Sequence, residues 1–135
     1  MKFKEIETGQ KVEYARTITE RDIKLFAEVS GDLNPIHMNE EYAKTTMFKG
    51  RIAHGMLSVS FISTTLASKL PGPGTIYLKQ EVVFKRPVRI GDTITTLVEV
   101  IKKNDEKKRL TLKTNCVNQE EEIVVTGEAL VMLVE

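Results

Sequence analysis

The 135-residue chain has a single cysteine, Cys116, and two histidines, His37 and His54. One cysteine cannot form an internal disulfide, fits a reducing compartment, and excludes every multi-cysteine metal site. Neither charge sign dominates: 20 Lys and Arg stand against 19 Asp and Glu, a formal charge of +1. That balance removes the broad basic face that generic nucleic-acid binding needs. No apolar run approaches the roughly 20 residues of a membrane-spanning helix. Met1-Lys2-Phe3-Lys4-Glu5 lacks the apolar stretch of a signal peptide. The expected setting is therefore cytoplasmic, with neither a membrane nor a nucleic acid as partner. There is no internal repeat and no low-complexity tract, and Glu120-Glu121-Glu122 reads as a turn. A hydrophobic content of 41% supplies one core, so a single domain over residues 1–135 is expected.

What is present falls into two halves. Lys11 to Thr17 suits a short strand, and Thr19 with Asp22 three residues on signals a helix from Glu20 to Ser30. Its apolar face is Ile23, Phe26 and Ala27. Gly31 ends it, and Asn34-Pro35 predicts that residues 31–37 form a structured loop, because proline disfavours helical geometry in the residue before it. A helical turn is expected at 40–44 and an irregular stretch at 45–53. From Met56 to Leu70, apolar residues interspersed with serines and threonines predict a buried helix, stopped by Pro71-Gly72-Pro73-Gly74. The remainder reads as strands at about 75–84, 92–101, 109–118 and 123–134, with turns at 90–92, 103–105 and 120–121. Their connections are short enough to make them antiparallel. The expected fold is α+β: a curved antiparallel sheet wrapped around a long central helix, the hot-dog architecture.

Candidate chemistry lies in the loop after the first helix, Gly31-Asp32-Leu33-Asn34-Pro35-Ile36-His37. Asp32 and His37 are too far apart to pair by helical spacing, but a compact turn around Asn34-Pro35 aims both into one pocket. A carboxylate beside an imidazole takes and gives protons near neutral pH. Gly55 stands at the start of the central helix, where its N–H can serve as a donor to a developing oxyanion. Cys116 lies mid-strand without an adjacent base and reads as a small buried apolar residue. Two histidines separated by a helix-breaking loop, with no further ligand pattern, give no metal site. Lys85, Arg86 and Arg89 form a small basic cluster suited to the phosphates of a nucleotide-bearing thiol carrier.

The loop resembles the hydratase motif of the MaoC-like (R)-specific enoyl-CoA hydratases, through Gly31, Asp32, Asn34, Pro35 and His37. Ile52-Ala53-His54-Gly55-Met56 is similar to that family's start of the central helix, and the segment from Val83 to Asp92 to its strand-and-turn signature. The resemblance implies reversible hydration of trans-2-enoyl-CoA to (R)-3-hydroxyacyl-CoA, a hydro-lyase reaction without a cofactor. It implies catalytic roles for Asp32 and His37, an oxyanion donor at Gly55, and a serine that hydrogen-bonds the aspartate. Counting along the block gives Ser63, with Ser58 and Ser60 as competitors. His54 is left between orienting the helix start and proton transfer. A homodimer, or a dimer of dimers, is also implied. A hydroxyacyl-carrier-protein dehydratase is the alternative, followed by an acyl-CoA thioesterase and a non-catalytic acyl-CoA-binding protein; acyl chain length is left open.

Overall fold

The Thr19 signal starts the first helix as expected. In the computed structural model, which describes residues 1–135, Asp22 N–H donates to Thr19 Oγ1 at 3.1 Å and Thr19 N–H donates to the Asp22 carboxylate at 3.0 Å. This reciprocal pair satisfies two orphan donors of the helix start. Strand β1 (Lys11–Thr17) leads into helix α1 (Glu20–Ser30). At Gly31 the backbone turns left-handed, with φ 79°, a conformation that glycine adopts without a Cβ penalty. Ile23 and Ala27 are buried and Phe26 packs against the core.

Residues 31–37 are not loop throughout, because a one-turn helix α2 (Pro35–Met38) begins inside them. The restriction imposed by proline falls on Asn34, whose ψ is 125°. Pro35 itself occupies the first helical position, where a missing N–H costs nothing. Asn34 Oδ1 accepts from Ile36 N–H at 3.2 Å and caps the turn. Helix α3 (Glu40–Ala43) follows, and then the long helix α4 (Gly55–Ser68).

The second half is the expected sheet: β2 (Thr75–Phe84), β3 (Thr93–Asn104), β4 (Arg109–Val117) and β5 (Ile123–Leu133). All pairs are antiparallel, in the order β1-β3-β4-β5-β2. The turn expected at 103–105 lies further on. Strand β3 runs through Asn104, which pairs with Arg109, because an irregularity between Val100 and Lys102 shifts the register. The left-handed Lys108, at φ 56°, then helps close the turn.

Helix α4 lies across β1, β2, β3 and β4. Ile62 and Leu66 are fully buried, with Val100, Leu112 and Val131 among the sheet residues of the same core. The opposite face of α4 is open: Met56 is 55% exposed, and Ser63 and Thr64 are also exposed. The helix is therefore buried on one side rather than all round. The two sheet edges also differ. Strand β1 exposes Lys11, Glu13 and Arg16, whereas β2 exposes Ile76, Leu78, Val83 and Phe84 together with Lys79 and Glu81, which pair with each other. No helix is long and apolar enough to cross a membrane.

Candidate active site

The short helix α2 carries His37 into the side of the domain, where the ring is nearly buried. Its Nδ1 lies 2.8 Å from the carbonyl oxygen of Ile52. A backbone carbonyl can only accept, so Nδ1 carries the hydrogen and Nε2 presents a bare lone pair. Burial pushes the imidazole below its ordinary pKa, with His54 acting in the same direction; the bond to Ile52 and the Asp32 charge oppose this. The turn is pinned from outside. Arg51 Nε donates to the His37 carbonyl at 2.7 Å while its guanidinium pairs with Glu20 of α1 at 2.9 Å.

Asp32 lies at the exposed mouth of the same region. Its N–H donates to Ser30 Oγ at 3.1 Å, and its Oδ1 accepts from Asn34 N–H at 3.2 Å. Its carbonyl oxygen lies 3.0 Å from His54 Nε2, across 22 residues of sequence. The His54 ring stacks against that of His37 with centroids 4.1 Å apart, and Phe26 lies 5.0 Å away from it. A ligating atom from each of Asp32, His37 and His54 lies within 4.8 Å of the others. This spacing alone would admit a cation. However, His54 Nε2, the nitrogen bonded to Asp32, carries a hydrogen. That leaves the Asp32 carboxylate and His37 Nε2 as the open ligand atoms, short of the three or four protein ligands of a zinc site.

The start of α4 completes the arrangement. Gly55 is its first residue, and no backbone carbonyl receives its N–H. The orphan donor stands at the positive end of the helix. A Cβ at this position would lie 2.7 Å from the Phe84 ring, so the ring can lie over the helix start only because residue 55 is glycine. A cavity of about 500 Å³ opens here, lined by His37, Gly55, Ser58, Phe84, Lys85 and Arg86 among others. The structure thus brings His37 and Gly55 together in one cavity with two of the three basic residues, while Asp32 stands beside His37 at the exposed surface and is not among the residues that line the cavity. Arg89 is instead used to hold the Phe48 carbonyl, and Arg86 lies 3.3 Å from Glu122.

Ser63 is placed elsewhere. It stands eight residues beyond Gly55, about two helical turns, in a neighbouring groove with Phe26, Met56, Val59, Tyr77 and Gln80. The hydrogen bonds of Asp32 run to Ser30, Asn34 and His54, and none reaches Ser63 within the chain. Ser60 spends its hydroxyl on the Leu57 carbonyl. Ser58 is the serine that lines the cavity, and its Oγ is buried without a partner. Its position one turn after Gly55 was the available sequence signal. Cys116 is fully buried and its thiol is pushed up to about 11 by burial, as suits a packing residue.

An exposed carboxylate close to a neutral imidazole, the imidazole sharing a cavity with an unpaired helix-start N–H, on a sheet folded around one helix, mark a hot-dog domain whose groups suit proton transfer next to a polarised carbonyl. The MaoC like domain model matches residues 2–122, and the chain belongs to that family. An (R)-specific enoyl-CoA hydratase of Rhodospirillum rubrum is 53% identical over 131 residues, covering 97% of this chain and 90% of that protein. The corresponding hydratase of Aeromonas caviae is 41% identical, covering 98% and 99%. The structure of the R-hydratase PhaJ1 from Pseudomonas aeruginosa superposes with a TM-score of 0.93 at 52% identity, over 98% of this chain and 85% of that one.

Proposed function

We propose that the protein is an (R)-specific enoyl-CoA hydratase that adds water reversibly across trans-2-enoyl-CoA to give (R)-3-hydroxyacyl-CoA, without a cofactor. The observation that carries this reading is the proximity of Asp32 to His37, which shares one cavity with the Gly55 helix start, in a chain 53% identical to a hydratase of that name. The thioester carbonyl sits at the Gly55 N–H, which stabilises the enolate oxygen as charge develops. Water is held between the Asp32 carboxylate and His37 Nε2. Its oxygen bonds to C3 as the pair takes up a proton. The C2 carbanion, delocalised as the enolate, then receives a proton from the same pair, so no redox equivalent is needed. The acyl chain follows the groove along the open face of α4, where Ser63 is a lining residue. Lys85 and Arg86 at the cavity mouth meet the phosphates of the thiol carrier.

The exposed apolar edge of β2 supports a homodimer in which two such edges pair into one continuous sheet. The contrast with the charged β1 edge favours β2 as the joining edge. A fully buried thiol at Cys116 is consistent with the cytoplasm as working compartment. Light scattering is expected to give twice or four times the chain mass. The direct test of function is the loss of enoyl absorbance when purified protein meets crotonyl-CoA, with the alcohol read by a dehydrogenase specific for the (R)-3-hydroxyacyl thioester. Formation of that alcohol without free thiol supports the hydratase; release of thiol would instead indicate a thioesterase.

A further inference from the structure

His54 is 2% exposed, caps α4 without a side-chain bond to that helix, and is absent from the cavity lining, yet its ring is fixed on three sides. His37 of α2 stacks on it, Phe26 of α1 lies across from it, and its Nε2 reaches the carbonyl of Asp32 in the loop. Because that carbonyl can only accept, the hydrogen is on Nε2. The other nitrogen, Nδ1, is sealed from solvent with no partner. A hydrogen on Nδ1 would be a buried donor without an acceptor, which is costlier than an idle lone pair. The two histidines are therefore held in opposite tautomers by two backbone carbonyls: His37 on Nδ1 by Ile52, and His54 on Nε2 by Asp32.

We infer that His54 is a positioning residue: its Nε2–H fixes the backbone of Asp32, and its ring sets the orientation of His37, so that carboxylate and base meet one substrate atom. This role rests on the hydratase reading above. It assigns His54 no proton transfer, since the proton-bearing nitrogen is committed to a carbonyl and the free one is buried. The consequence is chemical as well as geometric. Loss of the donor frees the Asp32 loop, and loss of the flat ring frees the imidazole of His37, while the acyl groove, which His54 does not line, is untouched.

With two histidines in the chain, ¹⁵N-histidine NMR at neutral pH reads both tautomers directly, and a His54→Gln sample assigns them. One ring protonated at Nδ1 and one at Nε2, the latter lost in His54→Gln, is the expected pattern; an Nδ1-protonated His54 would overturn the inference. This reading does not use turnover, so it stands apart from any failure of the hydratase assay. In kinetics, His54→Gln keeps an amide N–H at similar reach but loses the ring, and should lose kcat by less than His54→Phe does. His54→Phe keeps a ring but no donor and should lose about 100-fold in kcat, the scale of an ångström-level misplacement, with KM for crotonyl-CoA little changed. If His54→Phe does not fold, the tautomer and the glutamine variant still decide. A glutamine variant as impaired as a proton-transfer mutant, or a phenylalanine variant with full kcat, would overturn the inference.

Discussion

The segment of residues 31–38 and the segment of residues 52–58 each bring a histidine to the same point in the fold, and they use it differently. His37 stands in a one-turn helix with Nδ1 bound to a carbonyl, Nε2 unspent and its side chain at the cavity; His54 caps a long helix with Nε2 spent on a carbonyl and its other nitrogen buried. Residue type does not separate them, nor does burial, since both rings are largely covered. Their hydrogen-bond acceptors separate them: each is a backbone carbonyl from the opposite segment, so each segment sets the tautomer of the other's ring. Local sequence could not show this, because the two bonds span 15 and 22 residues.

The sharpest way to break the comparison is to remove the reactive groups. Asp32→Asn and His37→Ala should each lower kcat for crotonyl-CoA by about 10³-fold, within the range for a lost acid or base. Thermal unfolding should shift little for Asp32→Asn, since Asp32 is exposed, whereas His37→Ala also removes a nearly buried ring and its bond to Ile52 and should lower stability measurably. Near-normal turnover in either would remove that residue from the chemistry. Gly55→Ala comes next. The added Cβ meets the Phe84 ring, so either the ring or the helix start must move. A loss of about 10²-fold in kcat is expected, comparable to the loss of one oxyanion donor, accompanied by displacement of Phe84 in a crystal structure of the variant.

A pH series sharpens the comparison from the side of His37. Burial lowers its pKa below the ordinary value near 6.5, so the neutral base persists into mildly acidic solution. The acid limb of kcat/KM should therefore fall below pH 6.5. The depressed folded-state value also fixes the sign of the linkage. The stability His37 contributes is fully present above the unfolded pKa and is lost as pH falls through 6.5 toward the folded value. Urea unfolding between pH 7 and 5 should show a steeper loss for wild type than for His37→Gln. The smallest effect is expected at Ser58. Removing an unpartnered buried hydroxyl in Ser58→Ala should leave stability unchanged or slightly higher, as read by thermal unfolding. A clear drop would reveal a partner for that oxygen.

Much of the fold was legible because its signals are local. The Thr19–Asp22 capping box, the left-handed Gly31, the Pro-Gly stop after the long helix and the alternation of β3 and β4 each act over a few residues. The fold departs from those signals where local rules compete. Asn34-Pro35 signals a barrier although proline favours the first helical position, the β3–β4 turn moves because a register shift lengthens the strand, and the apolar long helix leaves one face open. In the site, Asp32, His37 and Gly55 were legible as a motif. The Phe84 ring over Gly55, the carbonyl of Ile52 at His37, and the choice of Ser58 rather than Ser63 for the cavity depend on how α2, α4 and β2 pack. Periodicity carries no information about those distances.

In the proposed mechanism one carboxylate–imidazole pair handles both the water and the C2 proton from a single side of the substrate. Hydration of crotonyl-CoA in deuterium oxide, with the product's proton couplings read by NMR, tests it directly. Addition of oxygen at C3 and deuterium at C2 to the same face, giving the (3R)-alcohol, is the predicted result. Addition to opposite faces would require a second proton donor across the cleft and would contradict the claim.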